Sequence, residues 1–401
     1  MMTETSQTLK SDSLSPMPID IKLTPVLQRI ESIDLMRGLV MALMALDHTR
    51  DFFSSVPFSP TDLSQTTVAL FFTRWITHFC APIFIFLTGL SAYLYTVRYA
   101  LTTGQLAKYL LTRGAWLIVL ELTIVRFGWG FSWNYHDLYG AVIWALGWSM
   151  IVLAGVVFLP RWAIGLFAVV IITGHNLFDT IQPADLGTWG WLWTILHVPG
   201  RIDYLPGYSL FILYPLIPWL GVMAAGYWLA PVFLWTAKPR KTLLLILGVV
   251  LVTGFLVLRL NNIYGNPSWF VQKNTLFTLL AILNCEKYPP SLLYLLMTLG
   301  PMLLGLVVFE SAKRYQFSKP FIVFGKVPLF FYLIHLILIH GAAVGAREVS
   351  FKINIQVSEY QHNLLTVYIA WVLLLIPLYL MCCRYARFKQ QHPEIRWLAY
   401  L

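Results

Sequence analysis

Charged side chains are scarce in this sequence, at 11% of its 401 residues. A soluble globular chain carries about 25%, so an ordinary soluble enzyme is excluded from the start. Cysteine is nearly absent too. The four present, Cys80, Cys285, Cys382 and Cys383, follow neither a disulfide framework nor metal-ligand spacing, and no metal is expected. The first 28 residues contain no apolar run that could serve as a cleaved signal peptide. Rich in Ser, Thr and Pro, they read as a disordered cytoplasmic tail. No phosphate-cradling Gly-rich loop, no G-x-S-x-G elbow and no H-E-x-x-H motif occurs. No internal repeat of the transporter kind is visible either.

What is plentiful is apolar surface: 58% of residues are hydrophobic and the mean hydropathy is +0.69. Sixteen Trp and twenty Tyr suit the aromatic belts of a membrane protein. The net charge of +10 sits in residues flanking apolar runs, where it faces anionic lipid rather than nucleic acid. A span needs about 20 apolar residues. Ten stretches qualify, near 33–53, 68–97, 110–130, 139–159, 162–178, 208–235, 242–260, 290–310, 321–345 and 364–384. Two shorter ones, 187–200 and 270–283, read as interfacial or re-entrant pieces. With the N-terminus in the cytoplasm, 17 of the 28 Lys and Arg fall on the cytoplasmic side, as the positive-inside rule requires. The expected fold is an all-α polytopic bundle of about ten transmembrane helices with both termini inside.

Ionisable groups inside such spans are costly, and each is a functional candidate. In "DLMRGLVMALMALDHTRDFF" (34–53), Arg37 and His48 stand eleven residues apart. At about 100° and 1.5 Å per residue they share one helix face, about 16 Å apart along the axis. Asp47, Arg50 and Asp51 follow at the outer end, either as site residues or as markers of the membrane exit. The second span places Arg74 and His78 one turn apart. Glu121 is buried in the third, where a His or Arg from a neighbouring helix would pair it. His175 and Asn176 end the fifth span, and His335 lies midway along the ninth. Several imidazoles and one Glu in the outer half suggest a polar cavity there, suited to proton transfer. Arg113 and Lys326, basic residues at inner span ends, complete the set.

"RIESIDLMRGLVMALMALDHTRDFF", "RGAWLIVLELTIVRFGW", "GHNLFD", "YPLIPWLGVMAAGY", "KYPPSLLYLLMTLGP" and "WLAYL" together resemble bacterial members of the heparan-α-glucosaminide N-acetyltransferase-like membrane acyltransferases. The resemblance runs from residue 29 to the end and implies a single acyltransferase domain over 29–401. The related acyltransferase-3 family has an Arg and, eleven residues on, a catalytic His in its first span, matched here by Arg37 and His48. "GKVPLFFYLIH" is similar to that family's Gly-to-Tyr-to-His pattern, which marks Tyr332 and His335. The heparan enzyme has Asn where His48 stands and uses a His between spans one and two. "SSVPFSPTDLSQTTVALFF" contains none.

The resemblance implies an inner-membrane acetyltransferase that carries acetyl from cytoplasmic acetyl-CoA to a sugar hydroxyl or amine outside. His48, Glu121, His78 and His335 would be its catalytic residues. Arg37, Arg113 and Lys326 would hold acetyl-CoA, and Asp47, Arg50, Asp51, His175, Asn176 and Tyr332 the acceptor. Expected partners are acyl-CoA, a sugar or glycan and membrane lipid, with a homodimer left open. A transporter or flippase for a polar or glycolipid solute would use the same buried charges without CoA. A bis-His haem protein would need two His facing across the bundle.

Overall fold

The structure, a computed structural model, describes residues 29–392 except 55, 266, 312–315 and 353–362, together with 394, 395 and 398. The expected tail, and Lys10, Lys22, Lys313, Arg314 and Arg396 of the charge count, lie outside the described residues.

The fold is a polytopic helical membrane architecture built around its first helix. Helix α1 (Glu31–Phe53) is followed by α2 (Val68–Thr77) and α3 (Cys80–Arg98), separated only by His78 and Phe79. Thr67 caps α2 by accepting from the Leu70 amide. Helix α4 (Thr103–Leu120) opens with a capping box between Thr102 and Gln105 that satisfies two orphan amides. It runs through a π turn, Glu121–Val125, into α5 (Arg126–Gly130). Then come α6 (Val142–Val156), α7 (Arg161–Gly174), α8 (Gly190–Leu196), α9 (Ile217–Leu229) and α10 (Ala237–Leu260). The chain closes with α11 (Thr275–Leu283), α12 (Leu292–Ser311), α13 (Lys319–Lys326), α14 (Pro328–Lys352) and α15 (Leu364–Gln391).

Seven of these helical stretches are long and apolar enough to cross a membrane. Three regions read as spans do not meet that measure, for reasons visible in the sequence. Helix α1 carries Glu31, Asp34, Arg37, Asp47, Arg50 and Asp51, and α4 with its continuation carries Lys108, Arg113, Glu121 and Arg126. Helix α6 is only 15 residues long. The structure also corrects the sixth span at its start. Tyr208–Ile212 is a strand, and the helix begins at Ile217 with Pro218 in its first turn, where a missing N–H costs nothing.

That strand belongs to a small sheet that the apolar pattern did not announce. Its strands are β1 (Asp137–Gly140), β2 (Gly200–Leu205) and β3 (Tyr208–Ile212), in the order β1-β3-β2. Strand β3 runs parallel to β1 and antiparallel to β2. Asp137, Tyr139, Phe211 and Arg201 are exposed, while Ile212 joins the core. The interfacial stretch 187–200 supplies the short α8, beside exposed Trp189 and Trp191. The stretch 270–283 supplies α11.

Helix α1 touches α3, α12, α13, α14 and α15, which is why most of its residues are buried despite its charge. The crossing with α13 is very close. A Cβ on Gly38 would fall 1.6 Å from the Phe321 carbonyl oxygen, and one on Gly325 would fall 1.9 Å from that of Asp34. Backbones approach so closely only where one residue of each contact is a glycine.

Candidate functional site

Helix α1 directs successive polar residues to different neighbours because each step turns about 100°. His48 faces α14. Its Nδ1 lies 2.8 Å from His335 Nε2, and the rings stack at 5.0 Å. His335 Nδ1 lies 3.0 Å from the Phe331 carbonyl oxygen, an atom that can only accept. Neutral His335 therefore carries its proton on Nδ1 and presents a lone pair at Nε2. His48 Nδ1 must then donate, which leaves His48 Nε2 as the basic nitrogen, a tautomer assigned from the hydrogen-bond network. His335 is fully enclosed at 0% exposure, whereas His48 is half-buried. Trp129 packs edge-on to His48 at 4.9 Å, and Tyr332 lies 6.5 Å away. Among the described residues no group of three metal-ligating side chains gathers.

One residue earlier, Asp47 faces α2. It is buried and takes ion pairs from Arg50, at 2.9 Å, and from Arg74. Arg50 also reaches Asp51 at 2.6 Å. Arg74 extends to the Tyr288 hydroxyl at 3.4 Å. His78 is 3% exposed, and among the described residues its Nδ1 has no hydrogen-bond partner. Its carbonyl accepts from the Tyr294 hydroxyl at 2.6 Å.

Tyr288 belongs to the connection before α12, which also brings Lys287 into the interior at 7% exposure. Burial alone pushes the Tyr288 phenol up, but Lys287 and Arg74 beside it hold it below its ordinary value. Sequence reasoning noticed Arg74 without giving it a role and missed Lys287, Tyr288 and Trp129. A Lys directly before Tyr-Pro-Pro was a signal for Lys287, since two prolines end regular structure and could turn the chain inward.

Other expected residues make no hydrogen bond with the imidazole pair and are engaged differently. Among the described residues Glu121 pairs with no cation. Its Oε2 accepts from the amides of Ile143 and Trp144 at 3.0 and 3.2 Å, so it caps the start of α6. His175 lies between the Ile171 and Pro290 carbonyl oxygens at 3.0 and 2.8 Å. Asn176 accepts from the Leu292 amide at 2.8 Å and donates to Asp179 at 2.9 Å. Asp179 in turn holds His197 Nε2 at 3.0 Å. This end of α7 therefore clamps the Lys287–Ser291 connection from behind.

At the opposite end of the α1 stripe, Arg37 donates to Ser91 Oγ at 2.7 Å and to the Gly325 carbonyl at 3.2 Å. It lines a cavity of about 250 Å³ with Arg29, Asp34, Tyr95 and Arg98. Arg113 is within electrostatic reach of Arg37. Lys326 ends α13 next to Gly325, whose carbonyl Arg37 engages.

A charged helix buried among apolar ones, basic at one end and carrying a stacked imidazole pair at the other, defines a polytopic membrane protein with an intramembrane polar site. The catalytic family of heparan-alpha-glucosaminide N-acetyltransferase matches residues 29–246, more than half of the chain. The chain belongs to that family of membrane acetyltransferases. The matched region covers Arg37, His48, His78 and Glu121 but ends within α10, before Lys287, Tyr332 and His335. No curated protein matches the chain.

Proposed function

We propose that the protein transfers acetyl from acetyl-CoA to a sugar hydroxyl or amine, with His48 as general base, in the bacterial inner membrane. The observation that carries this reading is the His48–His335 pair, which leaves His48 Nε2 as the free basic nitrogen on the more open of the two rings. His48 Nε2 takes the proton of the acceptor O–H or N–H as that atom attacks the thioester carbonyl carbon. The C–S bond then breaks, and the proton on His48 passes to the departing thiolate. His335 keeps its own proton against the Phe331 carbonyl and holds the imidazolium through the shared hydrogen bond. Tyr332 and Trp129 wall this space.

The basic cavity around Arg37 suits the donor. Guanidinium groups match phosphate oxygens in a two-pronged arrangement, and Arg29, Arg98 and Arg113 add positive charge near it. Lys326 stands beside it. The distance of about 16 Å along α1 leaves the pantetheine arm to carry the thioester to His48. With the N-terminus cytoplasmic, donor and acceptor would meet from opposite sides of the bilayer. Asp51, His175 and Asn176 lie toward the acceptor end, where the last two brace the chain that follows Lys287 and Tyr288. The whole of residues 29–401 would act as one acyltransferase domain.

Release of free thiol from acetyl-CoA by purified protein, with acetylated sugar as co-product, tests the reading. His48→Asn keeps size and some hydrogen bonding but cannot take up a proton. It should fold and bind CoA while transfer falls by about 10²–10⁴-fold. Normal transfer in His48→Asn, with loss in His78→Asn, would move the chemistry to α2.

A further inference from the structure

We propose that Arg74, Lys287 and His78 form a recognition site for an anionic group, a carboxylate or a phosphate, carried by the acceptor. The inference rests on the reading of the His48 end as an acyl-transfer site and adds the charge class of the acceptor. The buried charges beside His48 do not balance. Arg50, Arg74 and Lys287 bring three cations, and among the described residues Asp47 is the only buried carboxylate against them. Asp51, the second acid, is 37% exposed at its side chain and is taken by Arg50. Glu286, the next carboxylate along the connection, is exposed and accepts from the Tyr288 amide. Among the described residues Lys287 forms no ion pair, and its polar neighbour is the Tyr288 hydroxyl. A buried ammonium whose nearby carboxylate, Asp47, is already shared between two guanidiniums is costly.

The unpaired polar atoms point the same way. His78 Nδ1 is buried without a partner. Asp47 Oδ1 and Arg50 Nη1, though 2.9 Å apart, are not aligned for a hydrogen bond. A bound oxyanion accepts from Lys287, from Arg74 and from a protonated Nδ1 on His78, and it supplies the missing negative charge. A cation is disfavoured, because two guanidiniums already occupy Asp47. The donor's phosphates belong elsewhere, at the Arg37 end about 16 Å away along α1. Asp47 and Lys287 both lie within electrostatic reach of His48, so a group held at Arg74 and Lys287 leaves the rest of the same molecule beside His48. Arg74 and Tyr288 are half-buried, which gives the group a way in.

Calorimetry on the full chain in detergent micelles, without acyl donor, tests this with glucuronate, glucose 6-phosphate and glucose. Both anionic sugars should bind at least about tenfold more tightly than glucose, and the stronger of them identifies carboxylate or phosphate as the group. Lys287→Gln and Arg74→Gln should each weaken the anionic sugars by about 10- to 100-fold, the range of a charge-assisted hydrogen bond. Glucose should be unaffected. Arg37→Ala should leave the preference intact. Arg74→Gln exposes Asp47 to an unbalanced interior and can misfold, so Lys287→Gln, which breaks no ion pair, carries the test alone if it does. Equal affinity for all three sugars overturns the proposal, as does a charge preference that survives in folded Lys287→Gln or vanishes in Arg37→Ala. Anion binding without acetyl transfer would sink only the proposed function.

Discussion

At the scale of single residues, His335 is the side chain whose contribution is easiest to mistake. It is enclosed, so it meets no substrate, yet it determines which nitrogen of His48 is basic. Two substitutions separate that task from packing. The amide oxygen of His335→Gln can still accept from His48 Nδ1, whereas His335→Leu leaves that N–H buried and unpaired, at about 1–3 kcal/mol. His335→Gln should retain transfer within about tenfold, and His335→Leu should lose about 10²-fold in kcat with little change in donor KM. Equal losses would reduce His335 to packing. Glu121 invites a different test, because its partners are amides. Glu121→Ala orphans the first amides of α6 and should destabilise the fold by about 1–3 kcal/mol. Glu121→Gln, which keeps one accepting oxygen, should cost less. Thermal unfolding midpoints distinguish this from catalysis, since a capping role predicts normal turnover in whatever fraction of Glu121→Gln stays folded.

At the scale of elements, the sequence made the α1 stripe plain, because a spacing of eleven residues is nearly three whole helical turns. The same periodicity cannot say which helix lies opposite, so the meeting of His48 with His335, 287 residues away, was beyond it. Strands β2 and β3 escaped for another reason. They are five or six residues long, and β3 runs into the apolar start of α9, so its pattern merges with that of a span. Gly226 of α9 lies against the Phe86 carbonyl of α3, where a Cβ would come within 2.0 Å. The α1–α13 crossing offers a sharper test. Gly38→Ala places a methyl inside the Phe321 backbone, which no rotamer can relieve. The helices must separate, carrying Arg37 away from the Gly325 carbonyl. Gly38→Ala should lower the unfolding midpoint, with a cost of a few kcal/mol typical of overpacking, and weaken CoA binding together with it. Ser91→Ala, which removes only the hydroxyl that Arg37 binds, should leave the midpoint nearly unchanged.

At the scale of the whole molecule, the question is which end of α1 faces the cytoplasm, since the sidedness of donor and acceptor depends on it. The excess of Lys and Arg on one side implies that the Arg37 end does. The native thiols give a quiet background for a labelling test. Cys80, Cys285 and Cys382 are buried. Cys285, between α11 and α12, is pushed up to about 12 by burial, so it stays a thiol rather than a reactive thiolate. Cys383, half-buried, is replaced by Cys383→Ser. Two reporters then suffice. Ser59 is exposed in the connection between α1 and α2, at the His48 end. Gly104 starts α4 at the other end, where an added side chain meets open space. In intact cells, an impermeant maleimide should modify Ser59→Cys and spare Gly104→Cys, and permeabilising the membrane should make both react. The reverse pattern would place the imidazole pair toward the cytoplasm. The basic cavity would then open on the side where acetyl-CoA is not made, and transfer across the bilayer would have to be abandoned.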